Sequence, residues 1–178
     1  MAKKTYDESA IKTLSPLEHI RKRTGMYIGR TGNGSDYNDG IYVLLKEVLD
    51  NAIDEFISGY GKSVNIKIEN NLVTIRDYGR GIPLGKVIDC VSQINTGGKF
   101  NDDVFQFSVG MNGVGTKAVN ALSTYFKVRS TRDGEFFEAI FKEGVLQSQN
   151  KGTSTERNGT LVEFTPDDTI FKNYKFQE

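Results

Sequence analysis

Residues 44–59 read LLKEVLDNAIDEFISG, a stretch that predicts the helix on which the fold is organised. Its apolar residues recur three and four positions apart, as they do on a helix with one broad buried face. These residues are Leu44, Leu45, Val48, Leu49, Ala52, Ile53 and Phe56. The opposite side carries a polar row, because residues three and four apart stack on one side of a helix. The row consists of Glu47, Asp50, Asn51 and Asp54.

That polar row has two interpretations. A solvated outer face is the simpler one, since charged residues are mostly exposed. Solvated helices usually mix both signs of charge, however, and lysine is nearly absent from this row. Asn51, a neutral residue and a poor helix former, stands at its centre. The composition of the row therefore favours an oxygen-rich strip that is compatible with magnesium.

The bulk composition is that of one globular domain. The 178 residues suffice for a single domain with a sizeable core. Twenty-three basic residues balance 23 acidic ones, so no bulk attraction to nucleic acid or to a membrane surface is expected. Cys90 is the single cysteine, which excludes an internal disulfide and suits a reducing cytoplasm. A single histidine excludes a histidine-based metal cluster, and no apolar run approaches the roughly 18 residues of a membrane span.

The remaining pattern predicts an α+β domain. Helical patterns cluster early in the chain and strand-like runs late, with a hairpin at Asn70-Asn71 and no regular strand–helix alternation. We therefore expect a two-layer sandwich with helices on one face of a largely antiparallel sheet. The predicted helices cover residues 15–23, 44–59, 86–94 and 116–122, and the predicted strands cover residues 63–70, 71–78, 124–131, 134–144 and 159–166.

The first of two glycine clusters is RDYGRGIP, residues 76–83. It follows directly on a predicted strand, so Asp77 lies at a strand end. Gly79 and Gly81 allow the backbone to approach a ligand closely. A carboxylate only accepts hydrogen bonds, which suits an exocyclic amine such as that of adenine. A simple tight turn is the alternative for this cluster taken alone.

The second cluster runs from NTGGKF (95–100) to GMNGVG (110–115), at the start of a predicted helix. Backbone amides exposed by Gly110, Gly113 and Gly115 would form an anion-binding loop, to which Lys99 could add a charge. Neither a P-loop nor a dinucleotide fingerprint matches, and a flexible turn is the alternative. Three features therefore follow one another in the chain: a helix suited to a metal ion, a strand end that can accept a hydrogen bond from an amine, and a loop suited to phosphate. Their order favours a nucleotide site.

These motifs resemble those of the GHKL ATPases, the group that includes gyrase, histidine kinases and MutL. The resemblance is carried by EVLDNAIDE (47–55), DYGRGIP (77–83), GGKF with GMNGVG, and NGTLVEF (158–164). The stretches YDESAIK, RKRTGMYIG, NTGGKF and GVGTKAVNALS are similar to the B subunit of bacterial type IIA topoisomerases, from about Tyr6 to Phe164. The resemblance implies the Bergerat fold, with a mostly antiparallel mixed sheet, for the whole of 1–178. It also implies a flexible dimerisation arm at 1–14 and an ATP lid at 96–116.

The resemblance further implies a role for each matching residue, with ATP and Mg²⁺ as cofactors. Glu47 would be the general base that activates water, Asn51 the magnesium ligand, and Asp50 a support for the base. Asp77 would recognise adenine, helped by Gly81 and Thr160. Lid residues would bind the phosphates, Lys99 among them as a catalytic group: Gly98, Lys99, Met111, Asn112, Gly113, Val114 and Gly115.

The edge of the site and the arm complete the implied set. Glu55 and Arg80 would form a charged pair at the pocket mouth, near Arg132, in the region that aminocoumarin-type inhibitors occupy. Ile82 and Pro83 belong to the same cofactor-binding loop. Tyr6 would lie on the arm that crosses onto a second subunit of a nucleotide-bound homodimer.

The implied function is ATP binding and hydrolysis that drives a dimeric DNA gate, with an A-type subunit and DNA as partners in the full-length protein. Nothing here matches the transducer domain that supplies a lysine to the γ-phosphate in this family, so we expect an excised domain with weak hydrolysis alone. Asn112, Phe105 and Thr24 depart from the commonest gyrase pattern and incline the interpretation toward topoisomerase IV.

Two alternatives remain at this point. One is a nucleotide-gated dimerisation module with negligible hydrolysis of its own. The other is a phosphotransferase like the histidine kinases, for which His19 is the sole candidate acceptor in the chain.

Overall fold

The computed structural model describes residue 8, residues 11–97 and residues 113–177. A layer of short helices and one long helix packs against a six-stranded sheet. The helices are α1 Pro16–Lys22, α2 Gly25–Ile28, α3 Gly40–Ile57, α4 Val87–Ser92 and α5 Gly115–Ala121, with a 3₁₀ turn at Leu84–Lys86. The strands are β1 Val64–Glu69, β2 Leu72–Asp77, β3 Ser123–Arg132, β4 Glu135–Lys142, β5 Val145–Thr153 and β6 Gly159–Pro166.

The helix boundaries follow local signals in the sequence. Helix α1 starts with a capping box, in which Ser15 and Glu18 satisfy each other's backbone amides, as its sequence predicts. Helix α3 starts four residues earlier than predicted, after Asp39, and ends just before Gly59. Gly59 has a φ of 86°, a conformation that terminates helices and suits glycine. The segment 24–40 contains a one-turn helix, α2, where the sequence predicted only a loop.

The strand order is β1-β2-β6-β3-β4-β5, and each of these neighbouring pairs is antiparallel. The α+β sandwich is confirmed, although the described strands form no parallel pair of the kind a mixed sheet would have. Asn70 and Asn71 join β1 to β2 with φ values of 49° and 67°, the geometry of the predicted hairpin turn. Strand β5 was missed in the prediction, because every residue in it is exposed and no apolar alternation marks it.

The core lies between the helices and the central strands. Phe126 of β3 and Phe141 of β4 are fully buried or nearly so and meet edge to face, with ring centroids 6.0 Å apart. Arg21 fixes α1 to the end of β6, because its guanidinium donates to Asp167 at 2.6 Å and to the carbonyl oxygen of Ala121 at 2.7 Å. In the part of the chain that the structure describes, no helix combines the length and the apolar character needed to cross a membrane.

The buried face of helix α3 differs in part from the predicted one. Leu44, Val48 and Ala52 are buried as expected, but Phe56 is 60% exposed. Asp50 and Asp54, from the polar row, are 7% and 0% exposed. The solvated interpretation of that row is therefore wrong. Part of the polar side of α3 faces the interior of the molecule, where a cavity separates the helix from the sheet.

The buried pair of phenylalanines predicts a large effect of truncation. We expect Phe126→Ala to lower the free energy of unfolding by about 3–5 kcal/mol, because the cavity it leaves cannot collapse fully between sheet and helices. Phe56→Ala, at an exposed position, should lower it by less than about 1 kcal/mol. Chemical denaturation of the two variants beside the wild type measures both values, and equal losses would contradict this description of the core.

Candidate functional site

A cavity of about 730 Å³ opens between α3, α5 and the sheet. This volume lies in the usual range for small-molecule sites. Asp77 and Asn51, which come from different elements, both line it. Every predicted site residue that the structure describes does so as well: Glu47, Asp50, Asn51, Glu55, Asp77, Arg80, Gly81, Ile82, Pro83, Gly113, Val114, Gly115, Arg132 and Thr160. The predicted residues Tyr6, Gly98, Lys99, Met111 and Asn112 lie outside the described residues, as does Phe105.

Asp77, the last residue of β2, lines the cavity. Its Oδ1 accepts hydrogen bonds from the backbone amides of Gly79, at 2.9 Å, and Thr160, at 3.1 Å. Both bonds use the same oxygen, and among the described residues no hydrogen bond reaches Oδ2. Burial raises the pKa of Asp77, and the two amide hydrogen bonds oppose this increase without cancelling it.

The loop after Asp77 is held against β3. Gly81 has a φ of 76°, and a Cβ there would lie 2.7 Å from the carbonyl oxygen of Thr131. The hydroxyl of Ser130 donates to the carbonyl oxygen of Ile82 at 2.7 Å. Glycine is therefore required at 81 both for its conformation and for the close approach of the two backbones.

Glu55 and Arg80, which both line the cavity, form a charged pair. The guanidinium of Arg80 contacts Glu55 through two nitrogens, at 2.8 and 3.2 Å, and the backbone amide of Arg80 donates to the same carboxylate. The phenol ring of Tyr60 lies under the guanidinium, 4.1 Å from ring centroid to carbon. Glu55 raises the pKa of Arg80, so this side chain stays charged.

Residues on the polar side of α3 also line the cavity. Asp50 is buried and pairs with Lys46 at 2.5 Å. The carboxylate of Glu47 lies so close to Gly115 that a Cβ at 115 would overlap it. Asn51 donates from Nδ2 to the carbonyl oxygen of Glu47 at 2.8 Å. An acid, an amide and the start of α5 therefore meet at one place in the cavity wall.

The sequence reasoning missed the residues that α5 contributes here. Thr116 accepts a hydrogen bond from Asn51 Nδ2 at 3.0 Å. Lys117 is only 4% exposed, lines the cavity, and donates from Nζ to the carbonyl oxygen of Thr96 at 2.6 Å. The available signal was a lysine inside an otherwise apolar helix directly after a glycine-rich loop. Cys90 also lines the cavity, and burial raises its pKa, so it remains a thiol.

Comparison with known proteins identifies the family of this chain. The family model described as "Histidine kinase-, DNA gyrase B-, and HSP90-like ATPase" matches residues 36–170. This range contains every residue that lines the cavity except Met26, Tyr27 and Ile28. The chain belongs to this ATPase family.

Two relatives and one solved structure show which members of the ATPase family this chain is similar to. The chain is 65% identical to the B subunit of DNA topoisomerase 4 from Borreliella burgdorferi over 178 residues, covering 100% of this chain and 30% of that protein. It is 37% identical to the B subunit of DNA gyrase from Mycoplasma pneumoniae over 185 residues, covering 97% of this chain and 28% of that protein. The ATPase domain of Thermus thermophilus gyrase B, solved with an aminocoumarin, aligns with a TM-score of 0.74 and 31% identity over 92% of this chain and 42% of that one.

These likenesses confirm the resemblance drawn from the motifs and the fold class that it implied. The chain spans less than a third of the length of these two curated relatives. The match therefore concerns the ATPase domain. The binding roles of the individual residues stay predictions that rest on the geometry above.

The buried charge of Asp77 predicts a measurable pH effect in this ATPase domain. Because its pKa in the folded state is raised above the ordinary 3.8, the ionised side chain costs stability at neutral pH. That cost is absent below pH 3.8 and grows as the pH rises through the raised value. An Asn side chain at position 77 can still accept both amide hydrogen bonds through its oxygen, and it carries no charge. We expect ligand-free Asp77→Asn to melt at a higher temperature than the wild type at pH 7.

Thermal melts between pH 4 and pH 7 measure this effect, and the difference should shrink toward the acidic end. Asp168→Asn, at an exposed position, is the control and should change the melting temperature little at any pH. A variant at Asp77 that is less stable than the wild type by the same amount at every pH would contradict the assignment of a buried, costly charge.

Proposed function

We propose that this domain binds ATP together with Mg²⁺ and hydrolyses it, as the ATPase domain of a type IIA topoisomerase B subunit. One observation carries the proposal: Asp77 of β2 and Glu47 with Asn51 of α3 line a single cavity. A purine triphosphate has a hydrogen-bond donor at its ring and a metal-binding, hydrolysable tail, so it would suit both groups of side chains. Family membership supports the same nucleotide.

The adenine ring would bind beside Asp77. Oδ2 of Asp77 would accept from the exocyclic amine, and the fixed position of Oδ1 orients that oxygen. Ile75, Val128 and Val162 of the central strands line the cavity and supply an apolar wall for the ring. A ring that carries oxygen in place of the amine would put two acceptors against each other, so guanine should bind poorly.

The phosphates would bind beside α3 and α5. Among the described residues, no three His, Cys, Asp or Glu side chains converge as a metal cage. Magnesium bound by one or two protein groups, with phosphates and water as the other ligands, fits this donor set. Asn51 would hold the ion through its amide oxygen, because Nδ2 is engaged by the carbonyl of Glu47. When bound, the ion neutralises phosphate charge, and Lys117 adds a buried positive charge nearby.

Hydrolysis would depend on Glu47. Its carboxylate lies at the first residue of α5, where the glycine-rich segment ends and where the terminal phosphate would be placed. Glu47 would orient a water molecule and accept its proton as the water attacks. The rest of the catalysis is positioning and charge stabilisation, since phosphoryl transfer needs little covalent chemistry from the protein.

The wider activity is inferred from relatives named as topoisomerase 4 and gyrase subunits. We infer that ATP binding drives a homodimer through residues 1–14 and so operates a DNA gate, with an A-type subunit and DNA as partners, in the cytoplasm. The Thermus thermophilus relative was solved with an aminocoumarin. The Glu55–Arg80 pair and Arg132, which line the cavity, are the groups we propose to contact such a compound here.

Thermal shift with a non-hydrolysable ATP analogue tests the binding proposal. We expect an increase in melting temperature that is larger with magnesium than with a chelator, and a smaller increase with the GTP analogue. A flat response to the ATP analogue under both conditions would end the proposal.

Glu47→Ala tests the hydrolytic step and separates an ATPase from a nucleotide-gated dimerisation module. In the full-length subunit, ATP turnover should fall by about 10²–10⁴-fold, because no group remains to accept the proton of the attacking water. Magnesium-dependent binding of the ATP analogue should change little. Phosphate release and analogue titration measure the two quantities, with Glu135→Ala, exposed on β4, as the control. Turnover that survives in Glu47→Ala would show that another residue is the base.

A further inference from the structure

Two hydrogen bonds fix the side-chain amide of Asn51. Nδ2 donates to the carbonyl oxygen of Glu47 at 2.8 Å and to Oγ1 of Thr116 at 3.0 Å. A backbone carbonyl only accepts hydrogen bonds, so the group facing Glu47 must be the nitrogen. An amide nitrogen carries two hydrogens, and these two acceptors account for both. The amide oxygen is thereby directed away from both partners.

We propose that Thr116 is a positioning residue for the divalent cation, which it serves by holding Asn51 with its amide oxygen as the metal ligand. The inference rests on the proposed function and adds a residue from outside helix α3 to that site. Thr116 does not touch the cation in this proposal. Its hydroxyl acts through Asn51 alone.

The Thr116 bond differs in kind from the Glu47 bond. The bond to Glu47 is local, because it joins residues four apart on one helix. It can form whenever an Asn side chain folds back along α3. Alone, it would hold the amide group by a single hydrogen bond. The final torsion of an Asn side chain is broad and nearly two-fold, so a single tether restrains it weakly. Thr116 lies 65 positions away in sequence and adds a second, independent direction.

The position of Thr116 also links the metal ligand to the glycine-rich segment. Thr116 follows Gly115, against which the carboxylate of Glu47 lies. The first turn of α5 therefore sets the position of both the proposed base and the proposed metal ligand.

A pair of near-isosteric variants isolates the hydroxyl. Thr116→Val keeps the branched shape and removes Oγ1, whereas Thr116→Ser keeps the hydroxyl and removes the methyl group. One lost hydrogen bond of ordinary strength predicts that Thr116→Val needs about 2–10-fold more Mg²⁺ for half-maximal binding of a non-hydrolysable ATP analogue. Thr116→Ser should stay close to the wild type. Binding of the same analogue in a chelator should be equal in all three proteins.

The coupling to Asn51 is tested by a double-mutant cycle. Asn51→Ala should abolish the magnesium dependence, and adding Thr116→Val to it should change nothing further. Additive losses in the double variant would overturn the proposal, because Thr116 would then act independently of Asn51. Equal magnesium requirements for Thr116→Val and the wild type, or a Thr116→Ser variant as impaired as Thr116→Val, would overturn it too.

A spectroscopic measurement needs no metal and no activity. In ¹⁵N-correlated spectra, the side-chain NH₂ pair of Asn51, assigned by its loss in Asn51→Ala, should show one proton moving upfield in Thr116→Val and holding its position in Thr116→Ser. Unchanged shifts in Thr116→Val would contradict the hydrogen bond. If the wild type binds the analogue equally well with and without magnesium, the proposed metal site itself is refuted. If the wild type depends on magnesium and Thr116→Val depends on it to the same degree, only the positioning role of Thr116 is refuted.

Discussion

The site depends on one buried carboxylate at the junction of two central strands. Asp77 ends β2, and its Oδ1 is bonded to the amide of Thr160 in β6. Gly159 makes this junction possible, because its φ of 139° and its lack of a side chain let the chain pass directly over the carbonyl of Asp77. The strand pairing at the centre of the sheet therefore also fixes the orientation of a charged group that burial disfavours. We propose that stability is given up at this point for a ligand, as is common at functional sites.

Helix α3 provides the other group of side chains on which the site depends. It packs on the core through Leu44 and Val48 and presents acids to the cavity on another side. The carboxylates of Asp50 and Glu55 are each paired with a cation, Lys46 and Arg80. These pairs would let acidic side chains lie beside the proposed phosphate site with little net repulsion, since each carboxylate has a cation next to it.

Local features of the sequence predicted most of the architecture, and contacts between distant segments did not follow from it. The Ser15–Glu18 cap and the Asn70-Asn71 turn are encoded within a few residues, so their patterns could be interpreted directly. The burial of Asp54 could not, because it depends on how the rest of the fold packs around α3. The contribution of Thr116 was hidden for the same reason. A threonine in a short helix has no pattern of its own until the fold brings Asn51 to it.

The neutrality of Asn51 explains how the proposed metal site would work. A carboxylate at that position would attract a divalent cation without any nucleotide, because the two opposite charges would meet in a partly buried cavity. An amide oxygen contributes a dipole and no charge, so it binds a hard cation weakly by itself. Most of the binding free energy of the cation must then come from the phosphates. Metal and nucleotide consequently depend on each other, and the protein's part is to hold one oxygen in the right direction. A weak ligand gains more from fixed orientation than a charged one does, since it has no long-range attraction to compensate for a misdirected dipole.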